Sequence, residues 1–295
     1  MVEFPLETGT GDVVAALDST THDEVVAAWA AAEAERSDCA LRLVSVVDAA
    51  QQMVPYEALV AGSPGLTEQV DADTRRHVDQ VAETLRGTTP GLRVVTEVLW
   101  GSPAAGLVES SHGARLLVTG SPAHAGIGSV VVPVMAHAHC PVVIVPDGSR
   151  TSRPRTAVVG VDGSDPSRHA LAHALSTVES VGGSVTAVAA WRPEIEAEML
   201  ITYVMADTVP EIDARYAALL DGVIAEVAPR FPGVEVTPLV RHGHTAPVLL
   251  EVAKEQDADL VVVGSRGRGG FTGLLLGSVS RRVAARADRP VAVVR

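Results

Sequence analysis

The feature that most constrains this chain of 295 residues is a pattern that it carries twice. Asp12-Val-Val-Ala-Ala-Leu-Asp18-Ser19 returns as Thr156-Ala-Val-Val-Gly-Val-Asp162-Gly163-Ser164. Leu116-Leu-Val-Thr-Gly120-Ser121 returns as Leu260-Val-Val-Val-Gly264-Ser265, and both matches lie at an offset of 144 residues. Further on, Gly128-Ser129 and Cys140-Pro-Val-Val-Ile-Val align with Gly277-Ser278 and Arg289-Pro-Val-Ala-Val-Val at an offset of 149, so one loop of the first copy is five residues shorter. Solenoid repeats have periods of roughly 20–50 residues, so a repeat of this length is a duplicated domain. The polar stretch from Pro146 to Pro154, rich in Pro, Gly and Ser, reads as the linker. The expected domains are residues 1–148 and 154–295.

Within the second copy, apolar runs alternate with helical patterns. Residues 157–161 read as a strand. Asp165-Pro166-Ser167 offers a helix start, and Ala170, Leu171, Ala174, Leu175 and Val178 follow at core spacing. Gly182-Gly183 stops that helix. Residues 184–190 are the next strand, then come a helix over 207–228, a strand over 234–240, a helix over 245–256, a strand over 260–263 and a closing strand over 291–294. Strands that alternate with helices form a parallel sheet through right-handed crossovers. The expected class is therefore α/β, with two tandem doubly wound, Rossmann-like domains, each a five-stranded parallel sheet with helices on both faces. Only 3% of the chain is aromatic, so the core must be Val, Ala and Leu, which suits a sheet buried on both sides.

The chemistry is concentrated in the second copy. Val261-Val262-Val263 runs into Gly264-Ser-Arg-Gly267-Arg-Gly269-Gly270, and Gly277-Ser278-Val279-Ser280 leads into a helical run over 281–287. Such loops gather backbone N–H groups into an anion nest, and a helix N-terminus adds its dipole. Ligands of open α/β sheets bind at strand carboxyl ends, near the point where strand order reverses, and both Asp162 and Gly264 end strands. A bound phosphate ester is expected. Other readings stay open residue by residue. Asp162 also suits an Asx turn before the next helix, Gly264 and Gly267 a tight surface turn, and Ser278 and Ser280 plain caps of the last helix. Gly269 and Gly270 read as flexibility, not contact.

Charge separates the two copies. The net charge of −13 argues against a general nucleic-acid binder. Residues 1–150 hold 8 Lys+Arg and 19 Asp+Glu, a net of −11, whereas residues 151–295 hold 15 and 17, a net of −2. Much of the difference lies in Arg266, Arg268, Arg281, Arg282, Arg286 and Arg289. Arg286 and Arg289 read as a solvated helix face. For Arg266 and Arg268, inside the loop, phosphate and solvent are both open. No apolar run reaches the roughly 20 residues that span a membrane, residues 1–10 lack the marks of a signal peptide, and Cys39 and Cys140 give no disulfide framework. A cytoplasmic protein with no membrane and no nucleic-acid partner is expected.

Asp162-Gly163-Ser164, the spacing Gly264-x2-Gly267-x9-Gly277-Ser278 and the closing Pro-Val-Ala-Val-Val strand resemble the universal stress protein family in its ATP-binding branch. The resemblance covers nearly the whole chain, as a tandem two-domain member. It implies ATP in the crevice, with or without Mg2+, dimerisation through the last strand, and a role in stress survival. Carried over by residue, Asp162 would bond the ribose or the adenine edge, Ala190 and Val263 would line the adenine pocket, and Gly264 would approach the ribose. Gly267, Gly277, Ser278, Val279 and Ser280 would hold the phosphates, and Gly160, Arg266 and Arg268 complete the expected contact set.

The first copy departs from this pattern. Pro122 and Ala123 follow Gly120-Ser121, with Ala123 where the second glycine belongs, and the step from Ser121 to Gly128 is seven residues where Ser265 to Gly277 is twelve. A shorter loop has fewer N–H donors, and Pro122 removes another. Despite Asp18, the first domain is expected to be weakened for nucleotide and to serve as an interaction or pseudo-binding domain, although a smaller anion stays open.

Competing motifs are weak. No Gly-Lys-Ser/Thr completes a Walker A loop, and Lys254 is the only lysine. No acidic ribose partner follows a dinucleotide fingerprint. His137, His139 and Cys140, and His242 with His244, lack a third and fourth metal ligand, and no nucleophile elbow is present. Two functional classes remain: an ATP-binding regulatory module, or a slow ATPase or phosphoryl or nucleotidyl transferase in the same crevice. Phosphoryl transfer needs placed metal carboxylates and a nucleophile, and beyond Asp162 the sequence offers no clear candidate, so binding is preferred. A structural dimer with an empty crevice is the third reading. Pairing of the apolar strands over 142–145 and 291–294 would make the two domains a pseudo-symmetric pair, and a homodimer is expected.

Overall fold

Runs such as Val13–Leu17 and Leu260–Gly264 contain no polar side chain and are stable as strands only where both faces are covered. The structure, a computed structural model, describes residues 11–48, 64–121, 128–149, 153–192, 201–268 and 275–295. Packing divides the chain into two compact units, Met1–Arg153 and Pro154–Arg295. The first contains β1 (Val13–Leu17), α1 (Asp23–Arg36), β2 (Leu41–Val47), α2 (Pro64–Thr88), β3 (Val94–Trp100), α3 (Pro103–Ser110), β4 (Leu116–Ser121), α4 (Val131–His137) and β5 (Val142–Pro146). Its strands are all parallel, in the order β3-β2-β1-β4-β5. The second contains β6 (Thr156–Gly160), α5 (Asp165–Glu179), β7 (Ser184–Trp191), α6 (Ile201–Val227), β8 (Glu235–His242), α7 (Thr245–Glu255), β9 (Leu260–Gly264), α8 (Ser278–Arg286) and β10 (Val291–Val294). Its strands are parallel in the matching order β8-β7-β6-β9-β10. In each unit the first two helices pack together on one side of the sheet and the last two together on the other, the expected doubly wound α/β class.

The core is aliphatic, as the composition requires. Ala170, Leu171, Ala174, Leu175 and Val178 on α5 are all fully buried. That helix is capped by Ser164 and not by Asp165, with Pro166 in the first turn and Gly182 at φ +60° beyond its end. Two helices start earlier than their patterns suggest. α6 runs from Ile201 with Pro210 inside it; an interior proline costs the helix one i→i−4 hydrogen bond and crowds the carbonyl four residues before it, and the helix continues through it. α8 starts at Ser278, with Gly277 in an extended N-cap position, and the N–H of Arg281 donates to Gly277 O at 3.2 Å. The Gly-Ser segment is thus the first helical turn itself.

The sheet order fixes where a ligand can sit. β6 pairs with both β7 and β9, so the chain leaves β6 in one direction and returns on its other side. A crevice opens between the carboxyl ends of two such strands, and here it lies between Asp162, just beyond β6, and Gly264, the last residue of β9. In the first unit the same position falls between Asp18 and Gly120. Among the described residues, no helix is long and apolar enough to cross a membrane.

Candidate functional site

The second unit has a cavity of about 530 Å3 at this switch point. Gly160, Asp162, Ala190, Val263, Gly264, Arg266, Gly267, Arg268, Gly277, Ser278, Val279 and Ser280 all line it, so the folding chain brings the whole expected set together. Asp162 is the centre of the polar contacts. Its Oδ1 accepts the Ser164 N–H at 2.9 Å and the Ser164 hydroxyl at 2.5 Å, and its Oδ2 accepts the Arg268 N–H at 2.8 Å. Both the Asx-type turn and a link to the glycine loop are made, one with each oxygen. Burial of the carboxylate works against its ionisation, but the donors from Ser164 and Arg268 outweigh it and hold its pKa below the usual value.

The glycines are required by close approach. A Cβ added to Gly267 would fall 2.5 Å from Asp162 Oδ2, and one on Gly264 would fall 2.9 Å from the carbonyl carbon of Pro166. The loop is tied back at its base: the Gly277 N–H donates to Ser265 O at 2.7 Å, and the buried Ser280 hydroxyl reaches the same carbonyl at 3.1 Å. Gly277, not Ser278 or Ser280, holds the N-cap of α8. The first N–H groups of a helix have no acceptor within it, so those of Ser278, Val279 and Ser280 are the donors the cavity can offer an anion.

Two further outcomes differ from the sequence reading. Arg289 is not a solvated helix residue: its Nη1 donates to Ala253 O at 2.8 Å and Ala258 O at 2.7 Å, closing the carboxyl end of α7. Val161, Ser167, Tyr216, Thr245, Leu249 and Leu276 also line the cavity, and none of them belongs to the contact set expected from sequence. Only the rarity of aromatic residues could have drawn attention to Tyr216. Arg266 and Arg268 are exposed. Gly269 and Gly270 lie outside the described residues.

The first unit has its own cavity of about 630 Å3, lined by Asp18, His22, Asp23, Thr74, Gly120, Ser129 and Asp147 among others. Its interior is wired differently. Asp23, where the second unit has Ser167, is buried and accepts the N–H groups of Asp18 and Ser19 at 3.0 and 2.9 Å and His77 Nε2 at 2.8 Å. Burial pushes the Asp23 carboxyl above its usual range. The His22 ring stands between Val145 O and the Asp147 carboxylate and packs against Gly120, where an added Cβ would meet it at 2.6 Å. Backbone donors at this strand end are thus taken by the protein's own carboxylate. Pro122 and Ala123 lie outside the described residues.

The histidine and cysteine candidates separate in the fold. His242 Nε2 bonds Asp213 Oδ1 at 2.8 Å, His139 stacks on His112 at 3.6 Å, and Cys140 is buried. Among the described residues no group of three or more His, Cys, Asp or Glu is placed to hold a metal ion.

The model of the universal stress protein family matches residues 10–146 and again 154–295. A universal stress protein of Mycolicibacterium smegmatis is 32% identical over 302 residues, covering 100% of this chain and 99% of its own length. One from Mycobacterium tuberculosis is 32% identical over 301 residues, covering 96% of each. Among solved structures, a universal stress protein from Archaeoglobus fulgidus superposes with a TM-score of 0.66 at 18% identity, over 98% of both chains.

Proposed function

The chain belongs to the universal stress protein family, and on that premise we propose that it is an adenine-nucleotide-binding regulatory module of the stress response, with ATP held in the crevice of the second unit. The observation that carries this reading is the convergence of Asp162, the close-approach glycines Gly264 and Gly267, and the first turn of α8 on one cavity. Its volume, about 530 Å3, lies within the roughly 300–1,000 Å3 of small-molecule sites. The donor set fits a nucleotide by charge. Phosphate oxygens go to the N–H groups of Ser278, Val279 and Ser280 and to the exposed Arg266 and Arg268, while ribose hydroxyls go to the Asp162 carboxylate, which would repel a phosphate. Gly160, Ala190 and Val263 supply apolar wall for the base.

In this reading the first unit is not a nucleotide site, because Asp23 adds a buried carboxylate to its cavity and takes up the Asp18 and Ser19 N–H groups at the strand end. Calorimetric titration with ATP, AMP, GTP and cyclic AMP tests the proposal, using the protein and its Gly277→Asp variant. One equivalent of adenine nucleotide per chain is expected, lost in the variant. Two equivalents, or binding that survives Gly277→Asp, overturns the assignment of the site, and no binding at all overturns the function. Turnover of ATP with Mg2+ that disappears in Gly267→Ala would replace the binding module by a slow ATPase in the same crevice. Assembly into a cytoplasmic homodimer belongs to the same proposal, and the mass in solution tests it.

A further inference from the structure

The two long second helices are pinned to their sheets in the same way. In the first unit Trp100, the last residue of β3, donates its indole N–H to Asp71 Oδ1 on α2 at 2.9 Å. In the second, His242, the last residue of β8, bonds Asp213 Oδ1 on α6 at 2.8 Å. Both members of the second pair lie 142 residues beyond those of the first. The pin therefore works without any further aromatic group.

The second unit nevertheless adds two. The Trp191 indole donates to the same Asp213 oxygen at 2.8 Å, Trp191 lies parallel to Tyr216 at 6.2 Å between centroids with 14° between planes, and His242 meets Trp191 edge-on at 4.7 Å. At the equivalent places the first unit has Val47 and Thr74. The strand registers agree, pairing Val47 with Trp100 and Trp191 with His242. Trp191 is buried, whereas Tyr216 is part-exposed and forms a wall of the second cavity. One turn further along α6, Leu219 packs on Gly163, beside Asp162, which sets this face of the helix against the site. In a chain with three Trp, three Tyr and three Phe, two rings are spent here on a wall that the helix does not need.

We propose that Tyr216, braced from behind by Trp191, is the stacking platform for a planar heteroaromatic base and determines that this crevice prefers nucleotides to base-free polyphosphates. The inference rests on the reading of the cavity as a nucleotide site and names the group that recognises the base. A ring packed against Trp191, which Asp213 in turn holds by its indole N–H, loses little freedom when a base stacks on it, so the contact is preorganised.

The experiment compares ATP with inorganic tripolyphosphate by calorimetry, on the protein and on Tyr216→Ala, Tyr216→Leu and Tyr216→Phe. The protein should bind ATP more tightly than tripolyphosphate. Tyr216→Ala should weaken ATP by about 5- to 150-fold, the range expected for one lost base–aromatic stack, and leave tripolyphosphate unchanged. Tyr216→Phe should retain ATP affinity, and Tyr216→Leu, which keeps apolar volume without a ring, should behave like the alanine variant. ATP affinity unaltered in the alanine and leucine variants, or both ligands weakened alike, overturns the platform while the nucleotide site stands. An unmodified protein that binds neither ligand overturns the site and the platform together. Independently of any change at Tyr216, ATP should alter tryptophan emission in the protein and not in Trp191→Phe; an equal change in both contradicts the proposal.

Discussion

Asp162 accepts the backbone N–H of Arg268 at 2.8 Å across 106 residues of sequence. This one bond joins the end of the first strand of the second unit to the glycine loop that follows its fourth. The Cα of Gly267 lies so near that a methyl group there would meet the accepting oxygen at 2.5 Å. Loop closure and the absence of a side chain at residue 267 are therefore one requirement.

The first prediction concerns acid. The folded-state pKa of Asp162 lies below its unfolded value, which is about 3.9. Its ionised form thus contributes stability above about pH 4, lost as pH falls from there through the folded value. Asp162→Asn should be less stable than the protein at pH 7, and the gap in the guanidinium midpoint should close as pH drops below 4. A gap independent of pH contradicts the bond. Asp23, with its pKa raised by burial, has the opposite sign: its contribution is present in acid and lost as pH rises through the folded value, so Asp23→Asn should gain on the protein as pH rises from 4 to 7.

Glycine substitutions should differ in sign. Gly264→Ala meets the Pro166 backbone and Gly267→Ala meets Asp162, and each should cost about 1–3 kcal/mol of stability, the usual scale of overpacking. Gly222, exposed within α6, has nothing within 4 Å of an added Cβ. Gly222→Ala should stabilise by about 0.5–1 kcal/mol through helix propensity. Thermal melts of the three variants decide it, and equal effects would contradict the crowding.

Asp259 clamps the entry to the second sheet. Its Oδ2 accepts the N–H groups of Arg155 and Thr156 at 2.8 and 3.1 Å and the Thr156 hydroxyl at 3.1 Å. Asp259→Ala leaves those donors without that acceptor and should cost about 1–3 kcal/mol, read as a lower unfolding midpoint. At the equivalent place in the first unit, Arg115→Ala changes no such clamp and should cost less.

Arg289 should prove structural. Arg289→Met keeps the apolar stem but removes the guanidinium donor from the carbonyls of Ala253, which keeps the Ala258 N–H, and of Ala258, a loss of about 1–3 kcal/mol. Arg286→Met, at an exposed position, should change stability by less than about 0.5 kcal/mol. Equal effects would return Arg289 to the solvated surface.

The strands and the crevice-lining glycines were legible in the sequence because their causes are local. A run such as Leu260–Gly264 declares a buried parallel strand by its lack of polar groups, and the glycine spacing after it declares a backbone that must come close to something. The first turn of α8 was not legible, because Gly277 and Ser278 read as a loop until tertiary ties to Ser265 hold the turn in place.

By itself, then, the sequence determined the duplication, the alternating α/β architecture and the identity of the loop residues around Asp162. Tertiary structure alone decided what those residues face. Trp191, Asp213, Tyr216 and His242 come from two strands and a helix with no common periodicity, and they meet only because β7 and β8 pair in one register beneath α6. The same holds for Arg289 and for the buried Asp23. Each is an ordinary surface type in sequence, given its partners by contacts between elements far apart in the chain, which no local pattern records.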